Sequence, residues 1–337
     1  MMLSSLRIIV GDESQIGQAR RQSADLAREL GASVQFAGRL AILIMEAATN
    51  QVRHAGGGEI LLRRLRGSEG AGLDVLALDR GPGMRSVTEC LRDGYSTAGT
   101  AGNGLGAIRR LADEFEIVSA PGRGTAIWCR MHFETDSSPK RPAFLIGAVN
   151  VALEKEEVCG DCWDVFGAES DFRVMLADGL GHGAMAHDAA KAAVAVLHRE
   201  PSRSLSAVLE EAHEQLRQTR GAAVSVIDIR PEGGAVVSCG VGNIAARVVA
   251  ESGTQHLIST RGTVGGNAWK AQEYSNPWPS GALLVMHSDG LSSRWTFDDH
   301  PGLIHRHPGL IAGVLYRDHR RERDDATVIV VRQKASA

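Results

Sequence analysis

The feature that most constrains the fold is a set of aspartates at the ends of apolar runs in the C-terminal half. The clearest is Asp178, which ends the apolar run 172–177 and opens the sequence DGLGHG at residues 178–183. A carboxylate at the end of a buried strand, beside flexible glycine backbone, presents oxygen ligands to a hard divalent cation. Asp-Gly is also a common turn sequence, so this stretch alone leaves a turn and a metal site open.

Further aspartates flank predicted strands in the same way. Asp161 lies in a short polar stretch, Asp289 follows the predicted strand 282–287, and Asp324 and Asp325 precede the predicted strand 328–331. Any one of them fits a turn or a cap. The set fits a carboxylate cluster better, because like charges brought together are costly unless cations neutralise them. Oxygen-only ligands indicate Mg²⁺ or Mn²⁺ rather than zinc or copper.

Length and composition predict two soluble domains. The chain has 337 residues, 43% of them hydrophobic, which is enough for two cores. A polar stretch with two prolines at 135–142 reads as a linker, so we expect domains at 1–134 and 143–337. The formal charge of −3 argues against a nucleic-acid partner, and no apolar run is long enough for a membrane span. Five scattered cysteines and the lack of a signal-peptide pattern favour a cytoplasmic location.

The N-terminal half alternates helices and strands around polar sites. A helix predicted over 34–53 carries Glu46 and Asn50 on one face, since they are four residues apart. Taken alone, that face also fits a solvated polar stripe. A predicted strand at 73–78 ends in Asp79, and a glycine-rich loop at 99–106 leads into a helix at 107–113. A glycine loop at a helix N-terminus suits phosphate groups.

These motifs resemble those of a known superfamily over residues 1–134. Glu46-x3-Asn50, Asp79-x-Gly81-x-Gly83, the glycine loop and Gly124-Thr125 resemble the N, G1 and G2 boxes of the GHKL ATPases. Within that superfamily the chain is most similar to the small serine kinases of bacterial partner-switching systems, notably the stressosome switch kinase.

The resemblance implies roles for individual residues. Asn50 would ligate Mg²⁺ on the ATP phosphates, Asp79 would accept from the adenine amino group, and Glu46 would orient an acceptor hydroxyl as a base. The remaining expected nucleotide-binding residues are Gly81 and Gly83 beside the base, Gly102, Gly104, Leu105 and Gly106 around the phosphates, and Thr125 near the adenine.

Residues 143–333 resemble a second family, the SpoIIE-type branch of the PPM metal-dependent serine/threonine phosphatases. The matching motifs are Gly160-Asp161-x2-Asp164, the 178–183 loop, Gly242-Asn243, Ser288-Asp289-Gly290 and Asp324-Asp325-x-Thr327. The resemblance implies two Mn²⁺ or Mg²⁺ ions. Asp178 would bridge them, the Gly179 carbonyl would add a ligand, and Asp161, Asp289 and Asp324 would complete the shell.

Some residues near these motifs stay open. His182 fits either a proton donor to the leaving group or a structural hydrogen bond, and Asp164 fits either the metal shell or loop support. Cys159 and Cys162 depart from the family pattern. The histidine-rich stretch 300–319 is expected to be solvated surface.

Together the motifs predict an α+β chain of two domains, a GHKL (Bergerat) α/β sandwich followed by a PPM-type α-β-β-α sandwich. We expect a bifunctional regulator that phosphorylates and dephosphorylates a STAS-type anti-anti-sigma protein, with a homodimer as a possible assembly. The alternative is a phosphatase alone, whose N-terminal half binds ATP and a partner without catalysis.

Overall fold

The computed structural model describes residues 4–65, 69–91, 104–133, 142–167, 172–199, 203–266 and 270–334. Its contacts divide the chain into two compact units. The N-terminal unit comprises Ser5–Arg141 and His305–Arg317, and the C-terminal unit comprises Met1–Ser4, Pro142–Ile304 and Asp318–Ala337. The predicted two-domain α+β class is confirmed. The linker boundary stays a prediction, because residues 134–141 lie outside the described part of the chain.

The N-terminal unit is built on an antiparallel five-stranded sheet of order β1-β2-β3-β5-β4. Its strands are β1 (Leu6–Val10), β2 (Gly58–Arg64), β3 (Gly72–Leu78), β4 (Glu114–Ser119) and β5 (Thr125–His132). Strand β3 is buried along its whole length, since it lies in the centre of the sheet with side chains covered on both faces. This central position fixes the place of Asp79, the residue that follows β3.

Helices cover one face of this sheet. They are α1 (Glu13–Glu29), α2 (Val34–Asn50), the short α3 (Val87–Cys90) and α4 (Gly104–Leu111). Ser33 caps α2 by accepting from the Phe36 N–H at 3.0 Å. The apolar side of α2, including Phe36, Leu40 and Ile44, packs into the core beneath it. This anchoring turns the polar side of α2 towards α4, and a π-helical turn, Gln51–Ala55, follows α2 directly.

The opposite face of the sheet packs against residues from the C-terminal part of the chain. Helix α7 (Pro308–His319) contributes Gly309 and Gly313, where an added Cβ would lie 2.6 Å from Trp128 Cδ1 and from Leu76 Cδ2, respectively. His307 stacks on the Trp128 ring with 3.6 Å between centroids. The prediction of solvated surface is therefore wrong for His300 and His307, which are buried, whereas His305 is exposed as expected. Pro308–Arg317 is fully buried, because its run of small and apolar residues covers the sheet.

The C-terminal unit contains two antiparallel sheets. One has the order β13-β10-β9-β8-β7 and the other β12-β11-β14-β15-β6. The strands are β6 (Phe144–Val151), β7 (Asp161–Gly167), β8 (Phe172–Gly179), β9 (Ala222–Arg230), β10 (Ala235–Val241), β11 (Ala245–Ala250), β12 (Gly253–His256), β13 (Tyr274–Pro277), β14 (Leu283–His287) and β15 (Ala326–Gln333). Alternate residues of both sheets, such as Leu176, Ile227 and Ile329, meet in one apolar core, as in a β-sandwich.

Two helices lie on the outer face of the sheet that contains β8. Helix α5 (Ala184–Ala195) and helix α6 (Leu205–Leu216) pack small and branched side chains, among them Ala189 and Leu209, against that sheet. Because α5 begins directly after the 178–183 loop, its packing holds that loop at the end of β8. Among the described residues, no helix combines the length and the apolar composition that crossing a membrane requires.

Candidate nucleotide and phosphatase sites

In the N-terminal unit, the structure brings Glu46 and Asn50 together at the start of helix α4. A Cβ built on Gly104 would lie 3.1 Å from Asn50 Oδ1 and 3.2 Å from Glu46 Oε2. Both polar side chains of α2 therefore face the first residue of α4. Gly104 has no side chain, which allows the start of α4 to approach these two polar groups closely.

Asp79 is held by the backbone on both sides. Its Oδ1 accepts from the Gly81 N–H at 2.9 Å and from the Thr125 N–H at 3.0 Å. Burial raises the pKa of this carboxyl, and the two backbone donors oppose that shift. With Oδ1 engaged, Oδ2 is the oxygen left to accept from an amino group such as that of adenine. Arg317 Nη1 also donates to the Asp79 carbonyl at 3.3 Å, a contact that sequence motifs did not predict.

Two glycines allow the turns around Asp79 to approach each other. Gly83 has φ +71°, and an added Cβ would lie 2.8 Å from the Ala120 carbonyl carbon. Gly124 has φ +66°, with an added Cβ 2.9 Å from Arg80 Cα. Any larger residue would push these loops apart and displace Asp79. Gly83 is therefore required by local packing as well as by the base-binding role predicted for it.

The residues of this site fit ATP and Mg²⁺. Asn50 Nδ2 is buried and makes no hydrogen bond to any described residue, and an orphaned buried polar atom of this kind calls for a ligand. Gly104, Leu105 and Gly106 form the first turn of α4, whose free N–H groups suit a phosphate. Gly102 lies outside the described residues.

In the C-terminal unit, the register of β7 and β8 places two of the predicted ligands side by side. Asp161 pairs directly with Asp178 in the antiparallel ladder. Asp161 Oδ2 accepts from the Ser288 hydroxyl at 2.7 Å, and the Thr327 N–H donates to that hydroxyl at 3.1 Å. Ser288 thus links the two sheets at the carboxylate cluster. Sequence analysis noted Ser288 and Thr327 within motifs but gave them no role.

The other predicted ligands lie at the same end of the sandwich. Asp289 Oδ2 accepts from Asn243 Nδ2 at 2.7 Å, which joins two of the sequence motifs. Asp325 Oδ1 accepts from the Leu153 N–H at 2.8 Å, so Asp325 supports the loop after β6. Asp324 precedes it, half-buried, at the start of the turn into β15. Gly290 allows this approach, since an added Cβ would lie 2.8 Å from the Asp325 carbonyl carbon.

The charges of this cluster oppose one another. Burial raises the pKa of Asp178, and the nearby charges of Asp161, Asp289 and Asp324 raise it further. Burial likewise raises the pKa of Asp161, against the hydrogen bonds from Ser288 and Thr327. Carboxylates that repel each other in a buried place gain most from a bound cation.

The chemistry of the donor set fits divalent cations that prefer oxygen ligands. The carboxylates come from the ends of four strands, β7, β8, β14 and β15. Gly179 lies close to the start of α5, since an added Cβ would lie 2.6 Å from the Ala186 carbonyl carbon. As placed, no three His, Cys, Asp or Glu side chains within the described residues are close enough to hold one ion.

The open residues near this site take defined positions. His182 Nδ1 lies 2.6 Å from Glu156 Oε1, on an exposed part of the loop. Asp164 lies within β7, and its Oδ2 is 3.0 Å from His198 Nε2. Cys159 and Cys162 are buried, and burial raises the pKa of the Cys159 thiol.

Each half of the chain matches a known family. Residues 9–131 match the histidine kinase-like ATPase domain, and residues 168–334 match the Stage II sporulation protein E (SpoIIE) family. The serine/threonine-protein kinase RsbT of Bacillus subtilis is 36% identical over 124 residues, which cover 37% of this chain and 92% of RsbT. The phosphoserine phosphatase RsbX of the same organism is 24% identical over 140 residues, which cover 41% of this chain and 70% of RsbX.

Solved structures show the same fold. A chain from a study of the bacterial stressosome aligns with a TM-score of 0.52 at 26% identity, covering 56% of this chain and 99% of that one. RsbX in complex with magnesium aligns with a TM-score of 0.50 at 21% identity, covering 58% of this chain and 98% of RsbX. The chain therefore belongs to the histidine kinase-like ATPases through residues 9–131, and its residues 168–334 form a domain that matches the SpoIIE family of PPM serine/threonine phosphatases.

Proposed function

We propose that this protein is a bifunctional partner-switching regulator, which phosphorylates and dephosphorylates a serine or threonine of one partner protein. The observation that carries the proposal is the presence of both polar sites in one chain. Glu46 and Asn50 face the start of α4 in one unit, and the Asp178 cluster lies at a sheet edge in the other. The domain limits 1–134 and 143–337 are part of this proposal.

In the N-terminal unit, the chain's own residues would position ATP and the acceptor. Asp79 would hold the adenine through Oδ2, while Asn50 would ligate Mg²⁺ and the α4 N-terminus would bind phosphate oxygens. Glu46 lies beside Asn50 and would accept the proton of the incoming hydroxyl. Phosphoryl transfer depends mainly on such positioning and on charge stabilisation, so few residues suffice.

In the C-terminal unit, Asp178, Asp161, Asp289 and Asp324, with the Gly179 carbonyl, would hold two Mn²⁺ or Mg²⁺ ions. Bound ions of this kind supply a water of lowered pKa for attack on phosphorus. Ser288 would keep the Asp161 carboxylate oriented through its 2.7 Å hydrogen bond. Thr327 would in turn fix Ser288, since its N–H donates to the same hydroxyl.

The substrate is proposed from the two relatives. One is named a serine/threonine-protein kinase and the other a phosphoserine phosphatase, and a fusion of both types favours one shared target. A STAS-domain protein of the anti-anti-sigma type is the partner class that the sequence motifs suggest. The same partner would then be phosphorylated by one unit and dephosphorylated by the other.

The test is a phosphate-transfer time course with the full chain, ATP, Mg²⁺ or Mn²⁺, and STAS proteins encoded near its gene. Asn50→Ala is expected to abolish phosphorylation of the partner and leave its dephosphorylation intact, and Asp178→Ala is expected to do the reverse. Glu46→Gln distinguishes phosphorylation by the N-terminal unit from regulation of the phosphatase by ATP binding. If Glu46→Gln leaves partner phosphorylation unchanged while ATP alters the phosphatase rate, the N-terminal unit is an ATP-dependent regulatory module. An unchanged partner in every reaction would contradict the proposal.

A further inference from the structure

The loop between α6 and β9 places an arginine over the 178–183 loop. In the β8–β9 ladder, Asp178 pairs with Ala223 and Gly179 with Ala222. The pairing continues, because the Leu180 N–H donates to the Gly221 carbonyl at 3.0 Å. The next position sets Arg220 opposite Gly181, where an added Cβ would lie 3.0 Å from Arg220 Nη1.

This register gives the distance scale between Arg220 and the carboxylate cluster. Three residues of strand separate Arg220 from the position opposite Asp178, which is about 10 Å of backbone. Gly181 has φ +92° and no side chain, so the guanidinium lies directly over the loop backbone. Arg220 therefore borders the approach to Asp178 without belonging to the cluster.

The backbone on both sides of Arg220 is fixed. The Thr219 hydroxyl donates to the Leu216 carbonyl at 2.8 Å, and the Gly221 N–H donates back to that hydroxyl at 3.0 Å. Gly221 has φ +82° and packs against Val264, which leaves no room for a side chain there. The Arg220 side chain thus projects from a rigid turn into solvent.

Within the described structure, no carboxylate neutralises the charge of Arg220. Its guanidinium makes no hydrogen bond or ion pair with any residue that the structure describes. By contrast, Arg217 on the same turn pairs with Glu214 at 2.9 Å, and Arg321 interacts with Asp289 of the cluster. An unpaired guanidinium beside an acidic site is suited to an anion that must approach that site.

We propose that Arg220 binds the phosphoryl group of the substrate phosphoserine or phosphothreonine as it enters the phosphatase site. A guanidinium can donate two parallel hydrogen bonds to phosphate oxygens, which orients the ester as well as attracting it. The inference rests on the proposed phosphatase function and adds a residue that its motifs do not contain.

The test compares the full-length protein with Arg220→Ala, Arg220→Lys and the control Arg217→Ala, using p-nitrophenyl phosphate and a phosphoserine peptide in Mn²⁺. Loss of a charged hydrogen bond predicts a KM increase of about 10- to 100-fold for Arg220→Ala, with kcat changed by less than about 3-fold. Arg220→Lys should recover part of that loss, because it keeps the charge but not the fork. The inhibition constant of inorganic phosphate should rise in parallel with KM, and Arg217→Ala should behave as wild type.

Equilibrium dialysis of radiolabelled inorganic phosphate against the Mn²⁺-loaded protein gives a readout that does not need turnover. The proposal expects weaker phosphate binding by Arg220→Ala and unchanged binding by Arg217→Ala. Unchanged KM and unchanged phosphate binding in Arg220→Ala would overturn it, and so would a loss confined to kcat. If wild type binds phosphate through Arg220 but hydrolyses neither substrate, the proposed phosphatase function fails while the assignment of Arg220 stands.

Discussion

At the scale of single residues, each candidate site contains polar groups that lack a hydrogen-bond partner or lie close to like charges. Asn50 Nδ2 is buried without a partner, and the carboxylates around Asp178 repel each other. Such groups cost folding free energy unless a ligand compensates them. The protein without its ligands should therefore be less stable than its cores alone would allow.

This cost predicts how the metal-free protein responds to pH. Because the pKa of Asp178 and of Asp161 is raised in the folded state, these carboxyls favour the protonated form there. The unfolded chain ionises near pH 4, so stability should fall as pH rises from there through the raised folded pKa values. Each unit of upward shift costs about 1.4 kcal/mol. Urea unfolding in EDTA should show lower stability at pH 8 than at pH 6.

Replacing one carboxyl of the cluster should reduce the loss of stability at high pH. Asp178→Asn is expected to stabilise the metal-free protein at pH 8 and to flatten its pH dependence between pH 6 and 8. It should also remove most of the stabilisation that Mn²⁺ gives wild type. The exposed Asp25, which pairs with Arg28 on α1, offers a control, and Asp25→Asn should leave the pH profile unchanged. A metal-free protein more stable at pH 8 than at pH 6 would contradict the assignment of the cluster.

At the scale of elements, close packing of α7 on the N-terminal sheet is the main departure from expectation. The helix presents Gly309 and Gly313, four residues apart, to the face that carries Leu76 and Trp128. Small residues at this spacing allow a helix to lie close to a sheet. Trp128 cannot yield, since it is 1% exposed and His307 stacks on its ring.

A pair of matched substitutions tests this contact. Gly309→Ala places a methyl group against the Trp128 ring and should destabilise the protein by about 1–3 kcal/mol through overpacking. Gly38→Ala, within α2, meets nothing within 4 Å and should stabilise it by about 0.5–1 kcal/mol through helix propensity. Urea unfolding followed by tryptophan fluorescence gives both values. Equal effects of the two changes would show that α7 does not pack on the sheet as described.

At the scale of the whole molecule, the two compact units do not correspond to two continuous stretches of the sequence. Each unit has its own apolar core, and the N-terminal unit takes in His305–Arg317 as well as Ser5–Arg141. The two sets of family motifs are nevertheless contiguous in sequence, at 9–131 and 168–334. A cut at the predicted linker would thus leave the first unit without one of its helices.

That difference predicts the behaviour of a fragment. Residues 1–134 expressed alone should expose Leu76 and Trp128, bind the dye ANS and unfold at lower urea than the N-terminal unit of the full chain. Adding residues 142–337 in trans should reduce ANS binding. A 1–134 fragment that binds no ANS and matches the stability of the full chain would refute the role given to 305–317.

The sequence by itself determined the fold class and the two families, and it predicted a set of site residues. It could do so because these features are local. Glu46 and Asn50 share a helix face by spacing, Asp79 and Asp178 end apolar strands, and glycines mark the turns beside them. We expect these residues to lie together because the strands that carry them are predicted from their apolar patterns.

Only the tertiary structure decided the contacts between distant parts of the chain. Burial of residues 307–317, with His307 and Gly309 against Trp128, depends on packing. The hydrogen bond from Ser288 to Asp161 and the place of Arg220 opposite Gly181 depend on strand register and packing as well. A histidine-rich stretch and a lone arginine carry no periodic signal, so their composition gives only a solvated surface. In the structure, packing buries residues 307–317, and strand register places Arg220 beside the 178–183 loop. These contacts could not be predicted because contact free energy depends on which residues meet rather than on how far apart they lie in sequence.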